Sequence, residues 1–528
     1  MKKAGLCILS VLLTALLYGQ GLAKTPKDVL VMAAQIDDMV SVDPAEIFEF
    51  SGSEYAANTY DRLIAYDVED VSNIFGMLAE SWEVGEDDMT YTFKIRKGVT
   101  FASGNPLTAH DVVYSLQRVV ALNKSPAFII TQFGFTPENM AERIKAVDDE
   151  TLVLVTDKPY APTFFLYCLT STPASVVDSK LVREHEKDGD YGYGWLKTNY
   201  AGSGPFTLAS WKPAEMLLLD ANPNYWNGKP AMKRIIIRHI GESATQQLLL
   251  EKGDVDIARD LGPDQFDSLK QNSEVKLHAK PKGGIWYLGL NQKNEILANP
   301  KVREALRYLI DYQGMADTLL RGTMVVHQAY LPVGFLGALE EKPFSLDVEK
   351  AKALLTEAGY PDGFTVTMDT RNSSPTMEMA QAIQATMAKA GVTVELLPMD
   401  GKQALTKYRA RNHDIYIGRW GPDYQDPHTN ASTFAFNRDN SDEATSKPLA
   451  WRNAWDIPEM SAETEAAIIE RDPAVRAEMY LATQRKHQAN APFIIMFQET
   501  EVVAERVDVK DFILGPSFDS NFYRHIKK

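Results

Sequence analysis

Two rhythms of apolar and polar residues run through this chain. Period two marks Tyr91, Phe93 and Ile95, which interleave with Thr92, Lys94 and Arg96 and predict a half-buried strand after a GEDD hairpin turn. Trp82-Glu83-Val84 opens its partner strand, after a short helix expected to end near Leu78. IKAVDDETLVLVT (144–156) predicts a second strand pair turning at its acidic centre, and PFTLASW with MLLLDAN (205–222) a third. Period 3.6 marks helices: AHDVVYSLQRVV behind the N-cap residue Thr108, Ala56 to Leu63 with Tyr60 and Leu63 on one face, and Asn299 to Tyr312 with Val302, Leu306, Leu309 and Ile310 aligned. DVLVMAA (28–34) has the look of a buried first strand.

The two rhythms then alternate. MKRIIIRH, SATQQLLLEKG and VDIAR make a β-α-β unit, and WYLGLN (286–291) is a buried strand. From Asp347 the alternation resumes: helix VEKAKALLTEAGY stopped by Gly359, strand FTVTMDT, helix Thr376 to Ala390 capped by Ser373 and Ser374, strand GVTVELLP, helix LTKYRARN and strand HDIYIGRW. Helix Pro473 to Ala489 and strand APFIIMFQE follow. The expected organisation is α/β: two substantial lobes and a β-rich insertion, with no single flexible linker, so the chain crosses between lobes more than once.

The stretch with the most chemistry is His413 to Asn430, HDIYIGRWGPDYQDPHTN. Ile415, Tyr416 and Ile417 form a strand that Gly418 is expected to close. Gly421, Pro422 and Pro427 then force a loop carrying Arg419, Trp420, Asp423, Tyr424 and Asp426. Carboxylates beside aromatics at a strand end suit a small-molecule site, although a capped surface turn has the same spacing. Arg371, at the carboxyl end of FTVTMDT, stands where α/β sheets bind ligands. Trp286 and Tyr287 either wall a site or fill a core.

Composition narrows the function. Hydrophobic residues make up 45% and charged residues 24%, as in folded soluble proteins. Lys2 and Lys3 precede an apolar run, Ala4 to Tyr18, and Gly21-Leu22-Ala23 offers a cleavage site, so residues 1–23 read as a signal peptide and the mature chain as an exported protein. Losing the two lysines takes the formal charge from −16 to −18, which disfavours nucleic acid and anionic membrane surfaces as partners. Cys7 leaves with the leader, and Cys168 then stands alone in an apolar run, as a buried hydrophobe does.

Catalytic signals are missing. There is no phosphate-binding Gly-rich motif and no Gly-x-Ser-x-Gly; Gly202-Ser203-Gly204-Pro205 reads as a strand-entry turn. The nine histidines include no His-x-x-x-His. His413 and His428, with Asp423 and Asp426, could in principle hold a metal, and the two aspartates could serve as a hydrolytic pair, but a strand separates the histidines and a spacing of three on a loop decides nothing. The expectation is no enzyme, no metal and no cofactor.

LAESWEVGEDDMTYTFKIRKGVTFASGNPLTAHDVVYSL, SGPFTL, NPNYW, GDVDIA, WYLGLN, NPKVREALRYLID and VEKAKALLTEAGYPDGF stand in an order and spacing that resemble the family of dipeptide- and oligopeptide-binding proteins of bacterial ABC importers, over nearly the whole mature chain. The resemblance implies a two-lobe periplasmic-binding-protein fold of the type II kind with an extra β-rich domain in the first lobe. Lobe I would be 24–57, 205–285 and 503–528, the insertion 58–204, and lobe II 286–502. It implies a periplasmic monomer that encloses a short peptide and presents it to permease subunits in the inner membrane. The family's Trp-x-x-Asp-Tyr pattern falls on Trp420, Gly421, Asp423 and Tyr424, which implies that Asp423 pairs with a peptide ammonium and that Trp420 lines a side-chain pocket; Asp426, before Pro427, is expected to serve the turn. Arg371 is the nearest match to the family's carboxylate-binding Arg. Phe48 and Phe50 match peptide-contacting positions by place alone. Arg419 departs from the pattern and, as a second cation, would suit an acidic ligand. The alternative is the same fold around a non-peptide solute: an opine, glutathione, haem, a metal chelate or an oligosaccharide.

Overall fold

Two long antiparallel strands tie the molecule together. In a computed structural model that describes residues 25–444 and 446–528, Val275–Leu290 and Phe493–Arg506 pair along most of their lengths and pass through both lobes. The expected leader, residues 1–23, lies outside the described residues. In chain order the strands are β1 (Val29–Ala34), β2 (Ile64–Tyr66), β3 (Ile74–Gly76), β4 (Ala79–Val84), β5 (Thr90–Ile95), β6 (Ile144–Asp148), β7 (Thr151–Val155), β8 (Phe206–Lys212) and β9 (Met216–Ala221). Then come β10 (Arg234–His239), β11 (Ile257–Ala258), β12 (Val275–Leu290), β13 (Met324–Val326), β14 (Thr365–Arg371), β15 (Thr393–Met399), β16 (Ile415–Trp420) and β17 (Phe493–Arg506).

One sheet follows the order β15-β14-β16-β12-β17-β11-β1-β10-β9-β8, with β13 also paired to β17. Lobe I holds β1 between its parallel neighbours β10 and β11. Lobe II holds β14 between its parallel neighbours β15 and β16. The β12–β17 ladder is regular from Val275↔Arg506 to Pro281↔Thr500, breaks, and resumes at Ile285↔Gln498. The break spans Lys282, Gly283 and Gly284. A Cβ on Gly283 would stand 2.6 Å from Pro422 Cγ, and one on Gly284 would stand 2.1 Å from Glu499 Oε2. Glycine at both positions lets the lobes approach here.

The inserted domain is the antiparallel sheet β4-β5-β7-β6 packed on helix Ala109–Leu122. Thr108 and Asp111 form a capping box at the start of that helix. Its core includes Phe93, Phe133, Phe164 and Phe165, and also two residues of lobe II, Tyr424 and Ile468. Arg471 pairs with Asp88 at 2.7 Å, and Ala161 N donates to Ile468 O at 2.7 Å. The insertion therefore touches lobe II directly, and the lobes are closed on each other.

Four local expectations differ from what is observed. The helix expected over Ala56–Leu63 spans Phe50–Thr59 and ends where Tyr60 turns extended. Its Glu54 is buried in an ion pair, which hides the apolar period. No helix precedes Trp82; β4 starts at Ala79. β16 does not stop at Gly418 but runs to Trp420 by pairing with Ile285 and Trp286 of β12. The helix starting at Thr376 is preceded by Pro375, with no side-chain cap from Ser373 or Ser374.

Candidate functional site

β16 delivers Arg419 and Trp420 to the gap between the lobes, and a tight loop returns the chain into helix His428–Phe434. That loop is pinned from beneath. Asp426 is fully buried and takes Arg476 Nη1 at 2.5 Å and Nη2 at 2.7 Å, while also accepting His428 N at 2.9 Å. It therefore does more than the turn geometry expected of it. A buried pair of this kind is costly to break from one side. Tyr424 packs its ring 6.0 Å from Phe164 of the insertion. Gln425 Nε2 donates to Gly334 O at 3.1 Å, and Asp423 N donates to Thr429 Oγ1 at 3.0 Å.

Held this way, the Asp423 carboxylate has no cationic partner among the described residues, and burial alone pushes its pKa from 3.8 up to about 7. It borders a cavity of about 210 Å³ that also meets Phe48, Gly421, Tyr424 and Gln425. Gln425 is buried, and its Oε1 has no hydrogen-bond partner. A half-buried carboxylate without a cation and a buried acceptor without a donor thus line one small space. Unpaired buried polar atoms are rare in proteins, and a donor from a ligand is the usual remedy.

A larger chamber of about 630 Å³ adjoins it. Phe50, Arg419 and Phe518 line both spaces. Phe50 and Phe518 stack at 4.4 Å, and the Arg419 guanidinium lies 4.7 Å over the Phe50 ring. Arg419 is not a free cation: Nη2 donates to Glu499 Oε2 at 2.6 Å and Nε bonds the other oxygen. Trp286 Nε1 also donates to Glu499, at 2.9 Å. Deeper in, Arg259 joins Glu54 at 2.7 Å and Glu501 at 2.8 Å, and Lys282 lies 2.8 Å from Glu501. Burial opposes the charge of Glu501, but Arg259 and Lys282 overcome it and hold its carboxyl below the usual range.

Of the residues named from the sequence, Asp423, Gly421, Tyr424, Phe48, Phe50, Trp286 and Arg419 border these spaces. Trp420 borders neither; its ring meets Phe434 edge-on at 6.5 Å, and its buried Nε1 has no partner. Arg371 is exposed, lies beside Gly401 and borders neither space. His413 and His428 are apart: one bonds Asn453 and the other packs on Phe164. Among the described residues no cluster of three or more metal-ligating side chains is found. Sequence reasoning missed Glu499, Glu501, Arg259 and Lys282. The signal was present in β17, where Glu499 and Glu501 alternate between the apolar runs Phe493–Phe497 and Val502–Ala504. No helix among the described residues is long and apolar enough to cross a membrane.

Comparison with known proteins gives a consistent result. The profile of the bacterial extracellular solute-binding proteins, family 5, matches residues 73–442. The chain is 30% identical over 507 residues to the probable D,D-dipeptide-binding periplasmic protein DdpA of Escherichia coli K12, covering 95% of this chain and 94% of that one. Among solved structures, HbpA2 from Haemophilus parasuis superposes with a TM-score of 0.80 at 24% identity, covering 94% of this chain and 99% of that one. The periplasmic binding protein DppA from Helicobacter pylori, in complex with the peptide STSA, superposes with a TM-score of 0.78 at 25% identity, covering 94% and 98%.

Proposed function

Because the chain belongs to family 5 of the bacterial extracellular solute-binding proteins, we propose that it encloses a short peptide between its lobes and delivers it to the permease of an ABC importer. The observation that carries this reading is the Asp423 carboxylate, half-buried at the lobe interface with no cation beside it among the described residues. A peptide α-ammonium would satisfy it, with Gln425 Oε1 taking a second ammonium hydrogen. Phe50, Phe518 and Trp286 would flank the peptide chain. Closure is a hinge motion about the break in β12, with the ligand favouring the closed form. In this reading the protein is exported by its leader, works as a periplasmic monomer and performs no chemistry on its cargo. The relatives named as periplasmic and dipeptide-binding support that setting.

A thermal-shift screen of dipeptides to tetrapeptides, opines, glutathione and oligosaccharides tests it. A ligand at a hundred times its Kd adds about 2.7 kcal/mol of stability by mass action. A rise in melting temperature with free-amine peptides is expected; a rise only with sugars or other amine-free solutes would overturn the proposal.

A further inference from the structure

Charge is unevenly distributed over the large chamber. Its lining carries six carboxylates against three cations. All three cations are committed: Arg259 to Glu54, Lys282 to Glu501 and Arg419 to Glu499. The remainder are Asp37, Asp38 and Asp260. Asp37 and Asp38 follow the carboxyl end of β1, and Asp260 follows that of β11, so parallel neighbouring strands aim all three at one wall. Among the described residues no Lys or Arg pairs with any of them. His239 lies 3.9 Å from Asp37, but its Nδ1 accepts the Ile36 N–H and so carries no proton there. Asp260 accepts Gln35 N at 2.6 Å and Gln246 Nε2 at 3.5 Å, both neutral donors, and burial pushes its carboxyl up although these bonds and the neighbouring Arg259, itself committed to Glu54 and Glu501, oppose it. Leu217, Ile237, Leu261 and Met324 line the same chamber and would cover a methylene stem.

We propose that the chamber selects a cationic side chain, so that the cargo is a short basic peptide, its Lys or Arg head group set against Asp37, Asp38 and Asp260. The proposal rests on the reading that the smaller cavity takes the peptide α-ammonium at Asp423. Two positive groups then meet two separate acidic seats across the Phe50–Phe518 partition. A ligand carboxylate finds no uncommitted cation in the lining, so anionic peptides are excluded by repulsion as well as by lack of a partner.

The test is titration calorimetry with Ala-Ala-Ala, Ala-Lys-Ala, Ala-Ala-Lys and Ala-Glu-Ala against the wild-type protein and the Asp37→Asn/Asp38→Asn variant. Both substituted residues are exposed, so the thermal melting curve of the variant serves as its folding control and Ala-Ala-Ala as the neutral reference. The better of the two lysine peptides is expected to bind about tenfold tighter than Ala-Ala-Ala, and Ala-Glu-Ala about tenfold weaker. The lysine preference should shrink by about tenfold in the variant and with rising salt. Equal binding of the neutral, basic and acidic peptides would overturn the cationic selection while leaving peptide capture intact. No binding of any free-amine peptide would overturn both.

Discussion

Arg419 and Glu499 neutralise each other at the centre of the cleft, Nη2 to Oε2 at 2.6 Å, directly over the Phe50 ring. The one cation that both cavities share is therefore spent on the protein itself. Glu499→Gln would release it. In the wild type a peptide with a free C-terminal carboxylate should bind more weakly than its C-terminal amide, and in the variant the ratio of acid to amide affinity should rise by about tenfold. Parallel calorimetric titrations of an acid and its amide check this, and an unchanged ratio would contradict it.

The Asp426–Arg476 pair holds the ligand loop from below with both partners fully buried. Asp426→Ala leaves the guanidinium unpaired, so a stability loss of about 3–5 kcal/mol is expected from chemical denaturation. The Tyr424 contact with the insertion should loosen as well, seen as faster amide exchange over 423–428. A loss below about 1 kcal/mol would mean that the loop is held by its apolar contacts instead.

Gly283 faces Pro422 closely enough that a Cβ would lie 2.6 Å from Cγ. Gly283→Val is expected to fold, since the position lies at a ladder break, but to stop short of full closure. Small-angle scattering with saturating ligand should then give a larger radius of gyration than the wild type. A wild-type compaction in the variant would remove the glycine from the hinge.

Asp423 also makes closure depend on pH. Burial in this structure holds its carboxyl at about 7 against 3.8 for a hydrated aspartate, a difference on the order of 4 kcal/mol that opening would release where it rehydrates the group fully. The neutral acid is favoured in the closed form, so that contribution is fully present below pH 3.8 and is lost as pH rises to about 7. Without ligand, the closed fraction should increase as pH falls between those limits, by up to about tenfold per pH unit, and Asp423→Asn should flatten the dependence. A distance-sensitive fluorophore pair across the lobes reads this. A flat wild-type profile would contradict it.

Much of the frame was legible in the chain because it is local. Alternation at Tyr91–Ile95, the cap at Thr108, and the β-α-β run from Met232 to Arg259 depend on near neighbours, and the structure has them. The strand leading to Asp423 was legible too, although its end was not. β16 continues past Gly418 because β12 supplies hydrogen-bond partners from residues over a hundred positions away. The lining of the large chamber was hidden for the same reason. Glu54, Arg259, Lys282 and Glu501 look like surface charges in sequence and become a buried network only when chain segments more than two hundred positions apart come together. The start of β12 carries the same alternation, Val275, Leu277 and Ala279 against Lys276, His278 and Lys280, but its passage through both lobes was not legible, because its partner β17 lies more than two hundred positions away.

The central claim is that Asp423 is the seat of a ligand ammonium. Calorimetry of one binding peptide and its N-acetyl form, on the wild type and on Asp423→Asn, tests it most directly. The free amine is expected to lose roughly a hundredfold in affinity in the variant, about 2–3 kcal/mol for a buried charge pair cut on one side. The acetylated peptide, already weak on the wild type, should lose nothing further. Equal affinity of the free-amine peptide for both proteins would contradict the claim.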